Sequence, residues 1–350
     1  MAPPARPVHR LVLRSPNWLG DAVLALPAMA AVRRHYPDAH LTVAAVPSVA
    51  ALFREESGVR ADRVIELPDG TNSVIGALEG GAFDAGLLFP NSFRSAWQLA
   101  RAGVGERWGF AASGRGWLLT RRVRRPGRGE AVHQADYYRA LVRGLDMPCD
   151  DAAPAIGASA ASVERAAALL RQRGVADGAR LLGFAPGAAY GAAKQWPPDR
   201  AAEVIARVTA ATDVVCVVVG ASHDRTAARA IESWLRANAP AALARTIDLV
   251  GRTSLGALVG VAARCEAFVT NDSGAMHIAA ALGRPVVAIF GPTDERATGP
   301  LGPDRDVLAA PVFCRPCQLR DCPIDHRCMK RISVDQVFAA TIHAMRTRPA

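Results

Sequence analysis

Two loops that follow apolar segments carry side chains able to act on a hydroxylated or phosphorylated ligand. In SPNWLGDAV, Asp21 opens a helical pattern, and an ionised carboxylate there can take a proton from an attacking hydroxyl group. In APGAAYGAAKQWP, Lys194 is one of two lysines in a chain otherwise rich in arginine, and a lysine in a glycine-rich loop is a compact charge for a phosphate. A structural interpretation stays open for both, with Asp21 as a helix cap and Lys194 as a solvated charge.

A third loop lies in VTNDSGAMHIAAALGRP, where a predicted strand ends at Thr270 and a helix follows. The free amides of a first helical turn and the helix dipole favour an anion at such a point. The side chains and backbone that could form this anion site are those of Asp272, Ser273, Gly274 and His277. The alternative is that Asp272 or Ser273 only caps the helix and that His277 is a buried structural imidazole.

Positive charge is concentrated between Arg94 and Arg128, where nine arginines face a single acid, Glu106. This stretch accounts for most of the formal net charge of +10 and predicts an anionic partner, such as a phosphorylated substrate, a lipid headgroup or nucleic acid. A solvated charged face is the alternative. Trp97, within this stretch, is expected in the core.

Four of the seven cysteines are crowded into CRPCQLRDCPIDHRC. The spacing of Cys314, Cys317, Cys322 and Cys328 is compatible with a zinc site, although it departs from two paired CxxC motifs. Reduced thiols that support a loop are the alternative. The odd number and the clustering do not fit a secreted disulfide framework, so we expect a reducing cytoplasm.

Short apolar segments alternate with helical patterns along both halves of the chain, which predicts an α/β protein with parallel sheets. The periodicity lapses around 150–161, where we place the domain boundary. No apolar run reaches the length of a membrane span. Strand-to-helix loops of such sheets usually hold the ligand, so the loops described above are candidate sites.

Taken together, these loops resemble the ADP-heptose:lipopolysaccharide heptosyltransferases of glycosyltransferase family 9. The similarity runs through nearly the whole chain, and the order and spacing of its motifs are more specific than any one of them. FPNSFRSA in particular resembles the type II members. The motifs are NWLGDAVLALPA at 17–28, FPNSFRSA at 89–96, GERWGF at 105–110, PGAAYGAAKQWP at 186–197, GASHD at 220–224 and TNDSGAMHIAAALGRPVVAIFGPTD at 270–294.

The resemblance implies a GT-B fold, with two Rossmann-like domains whose parallel sheets face a central cleft. The implied acceptor-binding domain covers residues 1–155 and the ADP-heptose-binding domain covers 156–335. A C-terminal helix at 336–350 would pack back on the N-terminal domain.

The resemblance also implies an inverting, metal-independent transfer of heptose from ADP-heptose to the first heptose of the lipopolysaccharide inner core, with no further cofactor. Asp21 matches the general base. Lys194, Asp224, Asp272, Ser273, Gly274 and His277 match the donor site, and Asn91, Arg94, Arg121 and Arg122 are candidates for the acceptor. Ala189 and Tyr190 depart from the hydroxyl residues of type I members, which alters the expected donor contacts.

The implied partners are the nucleotide sugar and a lipid-linked oligosaccharide, with peripheral contact to the anionic inner membrane at its cytoplasmic face and no nucleic acid. Three alternatives stay open. Within the family, the acceptor could be that of heptosyltransferase I or of another ADP-heptose-dependent transferase. A GT-B epimerase would need a pair of acid/base carboxylates, which cannot be assembled from the sequence. A basic nucleic-acid-binding protein would explain the charge alone.

Overall fold

The computed structural model describes residues 7–127 and 133–346. The chain divides into two compact units, with the boundary between Ile156 and Gly157. Arg128, which belongs to the arginine-rich stretch, and the last four residues of the predicted C-terminal helix lie outside the described residues.

The first unit is built from strands that alternate with helices. Its strands are β1 (Arg10–Arg14), β2 (His40–Ala45), β3 (Glu56–Ser57), β4 (Arg63–Glu66), β5 (Ala85–Leu88), β6 (Glu106–Phe110) and β7 (Arg121–Val123), and β8 (Ile156–Gly157) lies at the boundary. Its helices are α1 (Leu19–His35), α2 (Pro47–Ala50), α3 (Thr71–Glu79), α4 (Phe93–Arg101) and α5 (Gln134–Arg143), with single 3₁₀ turns at Ala51–Arg54 and Gly116–Leu118.

Six of these strands form one parallel sheet in the order β4, β2, β1, β5, β6, β7. All four residues of β5 are buried, as expected for a strand covered by helices on both faces. Trp108 of β6 is fully buried. The core placement expected for Trp97 is wrong, because this side chain is 37% exposed on the outer face of α4 and stacks on Phe93.

The second unit repeats the pattern with more helices. Its strands are β9 (Leu181–Ala185), β10 (Val215–Val218), β11 (Thr246–Asp248), β12 (Cys265–Asn271), β13 (Val286–Phe290) and β14 (Arg305–Ala309). Its helices are α6 (Ala160–Arg171), α7 (Pro198–Ala211), α8 (Arg225–Asn238), α9 (Pro240–Leu243), α10 (Leu255–Arg264), α11 (Gly274–Ala281), α12 (Glu295–Thr298), α13 (Arg327–Lys330) and α14 (Val334–Arg346), with 3₁₀ turns at Ala192–Lys194 and Ser222–Asp224.

The second sheet is also parallel, in the order β11, β10, β9, β12, β13, β14. Its central strands are mostly apolar and buried along their length, which is why they could be recognised as short apolar runs. Helix α14 packs within this unit, against α7 and the strands β12, β13 and β14. The two six-stranded parallel sheets confirm the predicted α/β class.

The helices of the described segments, 7–127 and 133–346, were also compared with the length and hydropathy that a transmembrane span requires. None of them meets both requirements.

Helices α6 and α10 approach each other closely because Gly260 has no side chain. A Cβ at this position would lie 2.1 Å from the carbonyl oxygen of Ser162 and 2.8 Å from the methyl group of Ala166. The backbone of α6 therefore occupies the space that any larger residue on α10 would need.

We expect Gly260→Ala to lower the free energy of unfolding by about 1–3 kcal/mol, because α6 must move away from the added methyl group. Gly76→Ala in α3 is the matched control, since nothing lies within 4 Å of its added Cβ. Alanine should there improve helix propensity by up to about 1 kcal/mol. Thermal unfolding measures both effects, and equal midpoints for the two variants would contradict the close approach of α6 and α10.

Candidate functional site

In the second unit, the carboxyl ends of neighbouring strands bring the predicted loops together. Thr270 at the end of β12 pairs in register with Ala185 at the end of β9, and Asn271 pairs with Ile289 of β13. The loop 186–197, called here the β9 loop, therefore starts beside the turn that leads from β12 into α11. This edge of a parallel sheet is where α/β proteins bind ligands.

A buried ion pair links these two loops. The Nζ atom of Lys194 lies 2.6 Å from Oδ2 of Asp272, and their side chains are 11% and 7% exposed. The hydroxyl group of Thr293, after β13, donates to the same carboxylate oxygen at 2.7 Å. Asp272 therefore holds the one cation of the β9 loop in place, and neither of the two simple interpretations, a solvated lysine or a capping aspartate, describes the pair.

Asn271, which the predicted donor set omitted, holds the β9 loop at both ends. Its side-chain amide donates to the carbonyl oxygen of Pro186 at 2.5 Å, and its Oδ1 atom accepts from the backbone N–H of Trp196 at 3.3 Å. Asn271 is 2% exposed, so these bonds form away from bulk water. A polar residue at the end of a buried strand was the available signal.

Helix α11 starts at Gly274 without a capping bond from Ser273. Ser273 is the N-cap residue in extended conformation, but its side chain accepts no bond from the helix and instead lies 3.1 Å from the hydroxyl oxygen of Thr270. Because Asp272 directly precedes Ser273, α11 begins next to the Lys194–Asp272 ion pair, and its free first-turn amides and dipole favour an anion there. His277, which follows Met276 in this first turn, is 5% exposed.

Asp224 lies in a second buried position at the same sheet edge, after β10. Its Oδ2 atom accepts from the backbone N–H of Ala221 at 2.9 Å, whereas Oδ1 accepts no hydrogen bond from the described residues and lies 3.4 Å from Nε2 of His223. A Cβ at Gly187 would lie 2.0 Å from the carboxyl carbon of Asp224. The glycine at the start of the β9 loop thus makes room for this carboxylate.

In the first unit, Asp21 is the third residue of α1 and the only acid of its first turn. The helix dipole favours an ionised carboxylate at this position. Helix α1 packs on α5, where Tyr138 is buried. Burial raises the pKa of Tyr138, and the negative charge of Asp21, which hydrogen-bonds the tyrosine hydroxyl, raises that pKa further. Asp21 is therefore held at the carboxyl edge of the first sheet by a neutral phenol.

The loop after β5 is organised by Arg115, another residue that the sequence did not single out. Arg115 is fully buried, and burial lowers its pKa to about 10. Its guanidinium donates to the carbonyl oxygens of Pro90 and Phe110 and lies 3.5 Å from Oδ1 of Asn91. The amide of Asn91 in turn donates to the hydroxyl of Tyr137 at 2.7 Å. The predicted acceptor residue Asn91 is thus fixed by buried neighbours.

The three arginines predicted for the acceptor are in different environments. Arg121 stacks on Trp108, donates to the carbonyl oxygen of Leu145 and lies 3.5 Å from Asp146, so its side chain supports the fold of the first unit. Arg94 on α4 and Arg122 on β7 are exposed. These two are accessible to an anionic ligand.

The four clustered cysteines are free thiols. Three backbone N–H groups, from Ile324, Asp325 and His326, lower the pKa of Cys322, and burial raises that of Cys328. Among the residues that the structure describes, no three His, Cys, Asp or Glu side chains lie within reach of one metal ion.

Comparison with known proteins relates the chain to a family. The sequence profile of glycosyltransferase family 9 (heptosyltransferase) matches residues 71–327. The chain is 30% identical over 307 residues to lipooligosaccharide heptosyltransferase 2 of Haemophilus ducreyi. The matched region covers 83% of this chain and 86% of the relative. Lipopolysaccharide heptosyltransferase 1 of Pseudomonas aeruginosa is 36% identical, but over 25% of this chain and 24% of the relative.

The fold has the same relatives. The structure of E. coli ADP-heptose lipopolysaccharide heptosyltransferase II matches with a TM-score of 0.83 and 26% identity, over 97% of this chain and 100% of that chain. This likeness confirms the predicted GT-B class, and the sequence matches confirm the resemblance on which it was based. The chain belongs to glycosyltransferase family 9, the heptosyltransferase family.

Proposed function

We propose that this protein is an inverting transferase that moves L-glycero-D-manno-heptose from ADP-heptose to the first heptose of the lipopolysaccharide inner core. The observation that carries the proposal is that the likeness to type 2 relatives spans most of the chain, whereas the sequences of type 1 relatives match over a quarter to a third of it. The organised loops of the second unit support it, since they supply a buried cation beside a helix N-terminus.

The donor is held by the second unit. Lys194 and the N-terminus of α11 offer positive charge to the diphosphate, and Asp272 keeps the lysine in position. Ser273 and Gly274 allow the phosphates close approach. Asp224 has a buried carboxylate oxygen available to accept from a hydroxyl group of the donor, and His277 lies in the first turn of the same helix.

In the first unit, Asp21 serves as the general base. The acceptor hydroxyl loses its proton to the Asp21 carboxylate while its oxygen forms a bond to the anomeric carbon of the donor. The bond from that carbon to the diphosphate oxygen breaks, and its electron pair leaves with ADP. Attack opposite to the leaving group inverts the configuration. Asn91, Arg94 and Arg122 position the acceptor, while Arg121 acts through the fold.

The number of heptoses on the acceptor distinguishes the type 2 reaction from the type 1 reaction. Given ADP-heptose, we expect the purified protein to release ADP with an inner-core acceptor that ends in one heptose and not with an acceptor that has none. The measurement is ADP production for each acceptor, repeated in a metal chelator, which should leave the rate unchanged. Turnover only with the heptose-free acceptor would assign the type 1 reaction instead. No turnover with either acceptor would leave the basic-surface alternative, whose affinity for nucleic acid should fall steeply with salt.

Replacing the proposed base should remove turnover and leave donor binding intact. We expect Asp21→Asn to lower kcat by about 10²–10⁴-fold, the usual contribution of general-base catalysis, with an unchanged affinity for ADP. Asp69→Asn is the control, since Asp69 is an exposed acid of the same unit outside the proposed site. A kcat for Asp21→Asn close to that of the control would exclude Asp21 as the base.

We also propose that the first unit attaches to the anionic cytoplasmic face of the inner membrane through an aromatic cluster of Phe93, Trp97 and Trp117. These side chains are 41%, 37% and 65% exposed. The ring centroid of Phe93 lies 6.3 Å from that of Trp97 and 6.0 Å from that of Trp117. Amphipathic rings of this kind are favoured at membrane interfaces.

The charge around the aromatic cluster fits a negative surface. Arg101 lies over the Trp97 ring at 5.9 Å, and Arg94 is exposed on the same helix. Exposed arginines near an anionic bilayer each contribute about 1 kcal/mol to attachment. The aromatic rings would enter the membrane interface, and the arginines would contact the lipid headgroups. Together they favour attachment to a membrane over a charged surface that only faces solvent.

Vesicle binding tests this surface. We expect the double variant Trp97→Ala with Trp117→Ala to bind vesicles containing phosphatidylglycerol at least about tenfold more weakly, because two large apolar side chains no longer enter the interface. Phe313→Ala, which removes an exposed aromatic of the second unit, should bind as the unmodified protein does. Turnover of a lipid-free acceptor should not change. A loss of that turnover with unchanged vesicle binding would assign the aromatic cluster to acceptor sugars instead.

A further inference from the structure

The segment 314–328, called here the cysteine-rich segment, lies directly on the β9 loop. The backbone N–H of Ala193 donates to the carbonyl oxygen of Arg320 at 2.9 Å. The hydroxyl group of Tyr190 donates to the carbonyl oxygen of Gln318 at 2.7 Å. A Cβ at Gly191 would lie 2.4 Å from the same Arg320 oxygen. The two backbones therefore touch where the β9 loop approaches Lys194.

This contact brings a second cation to the Tyr190 ring, which Lys194 also contacts. The Nζ atom of Lys194 lies 4.6 Å from the ring centroid of Tyr190, and the guanidinium carbon of Arg320 lies 5.2 Å from the same centroid. The negative face of the phenol ring can accept both. Tyr190 is thereby in contact with both cations.

Lys194, Asp272 and Arg320 together carry one more positive charge than negative charge. Lys194 is paired with Asp272, whereas no carboxylate of the described residues lies within 4.0 Å of Arg320, whose side chain is exposed. One positive charge thus remains at the β9 loop, beside the Tyr190 ring. A guanidinium presents donors in a fork that matches phosphate oxygens, which an ammonium group does not.

The position of Arg320 is set by the loop after β13. The backbone N–H of Gln318 donates to the carbonyl oxygen of Pro292 at 2.9 Å, and the guanidinium of Arg315 donates to those of Gly291 and Thr293 at 2.8 and 3.0 Å. Thr293 also binds the carboxylate of Asp272 through its hydroxyl group. The backbone that carries Arg320 is therefore tied to the residues that hold Lys194.

We propose that Arg320 is a second cationic ligand for the diphosphate of the donor and of the departing ADP, supplied by the cysteine-rich segment and aligned by Tyr190. This inference rests on the proposed function, because it assigns a residue to the diphosphate of that donor. Lys194 and Arg320, which both contact the Tyr190 ring, together neutralise the diphosphate, while α11 contributes its N-terminal amides. The cysteine-rich segment thus takes part in substrate binding through its backbone contacts and this one side chain.

Binding of ADP and of adenosine to the full chain tests the proposal. We expect Arg320→Ala to weaken ADP binding by about tenfold to a hundredfold, the loss of one charged hydrogen-bonding partner, and to leave adenosine binding nearly unchanged. Arg320→Lys should retain part of the ADP affinity. Arg229→Ala, which removes an exposed arginine of α8, is the matched control for net charge and should bind ADP as the unmodified protein does.

The measurements distinguish a failure of the Arg320 assignment from a failure of the proposed function. Unchanged ADP affinity in Arg320→Ala would overturn the assignment, and so would an equal loss for ADP and adenosine, because a merely structural residue affects both ligands alike. Because Arg320 is exposed, the thermal unfolding midpoint of the variant should match that of the unmodified protein, which verifies folding. If the unmodified protein transfers heptose normally while the variant binds ADP normally, the inference alone fails. If the unmodified protein binds no ADP, the inference and the proposed function fail together.

Discussion

The ion pair between Lys194 and Asp272 is the interaction on which the arrangement of the second unit depends. Removing two charges from water is costly, and their attraction offsets that cost only in good geometry with further hydrogen bonds. The register of β9 against β12 brings the two loops together, and the hydroxyl of Thr293 completes the environment of the carboxylate. Loss of either partner would leave a buried charge without compensation, so the β9 loop, β12 and the loop after β13 are constrained as one group.

The buried arginines Arg14 and Arg115 of the first unit are stabilised by backbone carbonyl oxygens. Arg14 and Arg115 are buried, and burial lowers the pKa of each to about 10, so both remain charged at neutral pH. Backbone carbonyl oxygens supply their partners, from Ser15 for Arg14 and from Pro90 and Phe110 for Arg115. A guanidinium with five donors can thereby order a loop that has few side-chain contacts.

Much of the fold could be predicted from the sequence, because strands buried on both faces are short apolar runs and their ends mark the loops that bind ligands. The sequence singled out Asp21, Lys194 and Asp272 as candidates in this way. The roles of Asn271 and Arg115 could not be predicted, since each bonds backbone atoms far away in sequence. Trp97 was misplaced because helical spacing does not distinguish an apolar residue that faces the core from one that faces outward. The contact of Arg320 with Tyr190 depends on how an irregular segment folds back, which no periodicity encodes.

Gly187 and Asp224 have a consequence for selectivity. The missing side chain at Gly187 lets the carboxylate lie against the backbone, 5% exposed, with one oxygen that accepts no hydrogen bond from the described residues. A ligand that covers this oxygen without donating to it leaves a buried acceptor without a hydrogen bond, whereas a ligand with a hydroxyl there satisfies it. Sites of this kind discriminate against analogues that lack the hydroxyl more strongly than apolar pockets discriminate by size. If Asp224 contacts the donor, the missing side chain at Gly187 thus favours a donor that carries a hydroxyl group at this point over a deoxygenated one.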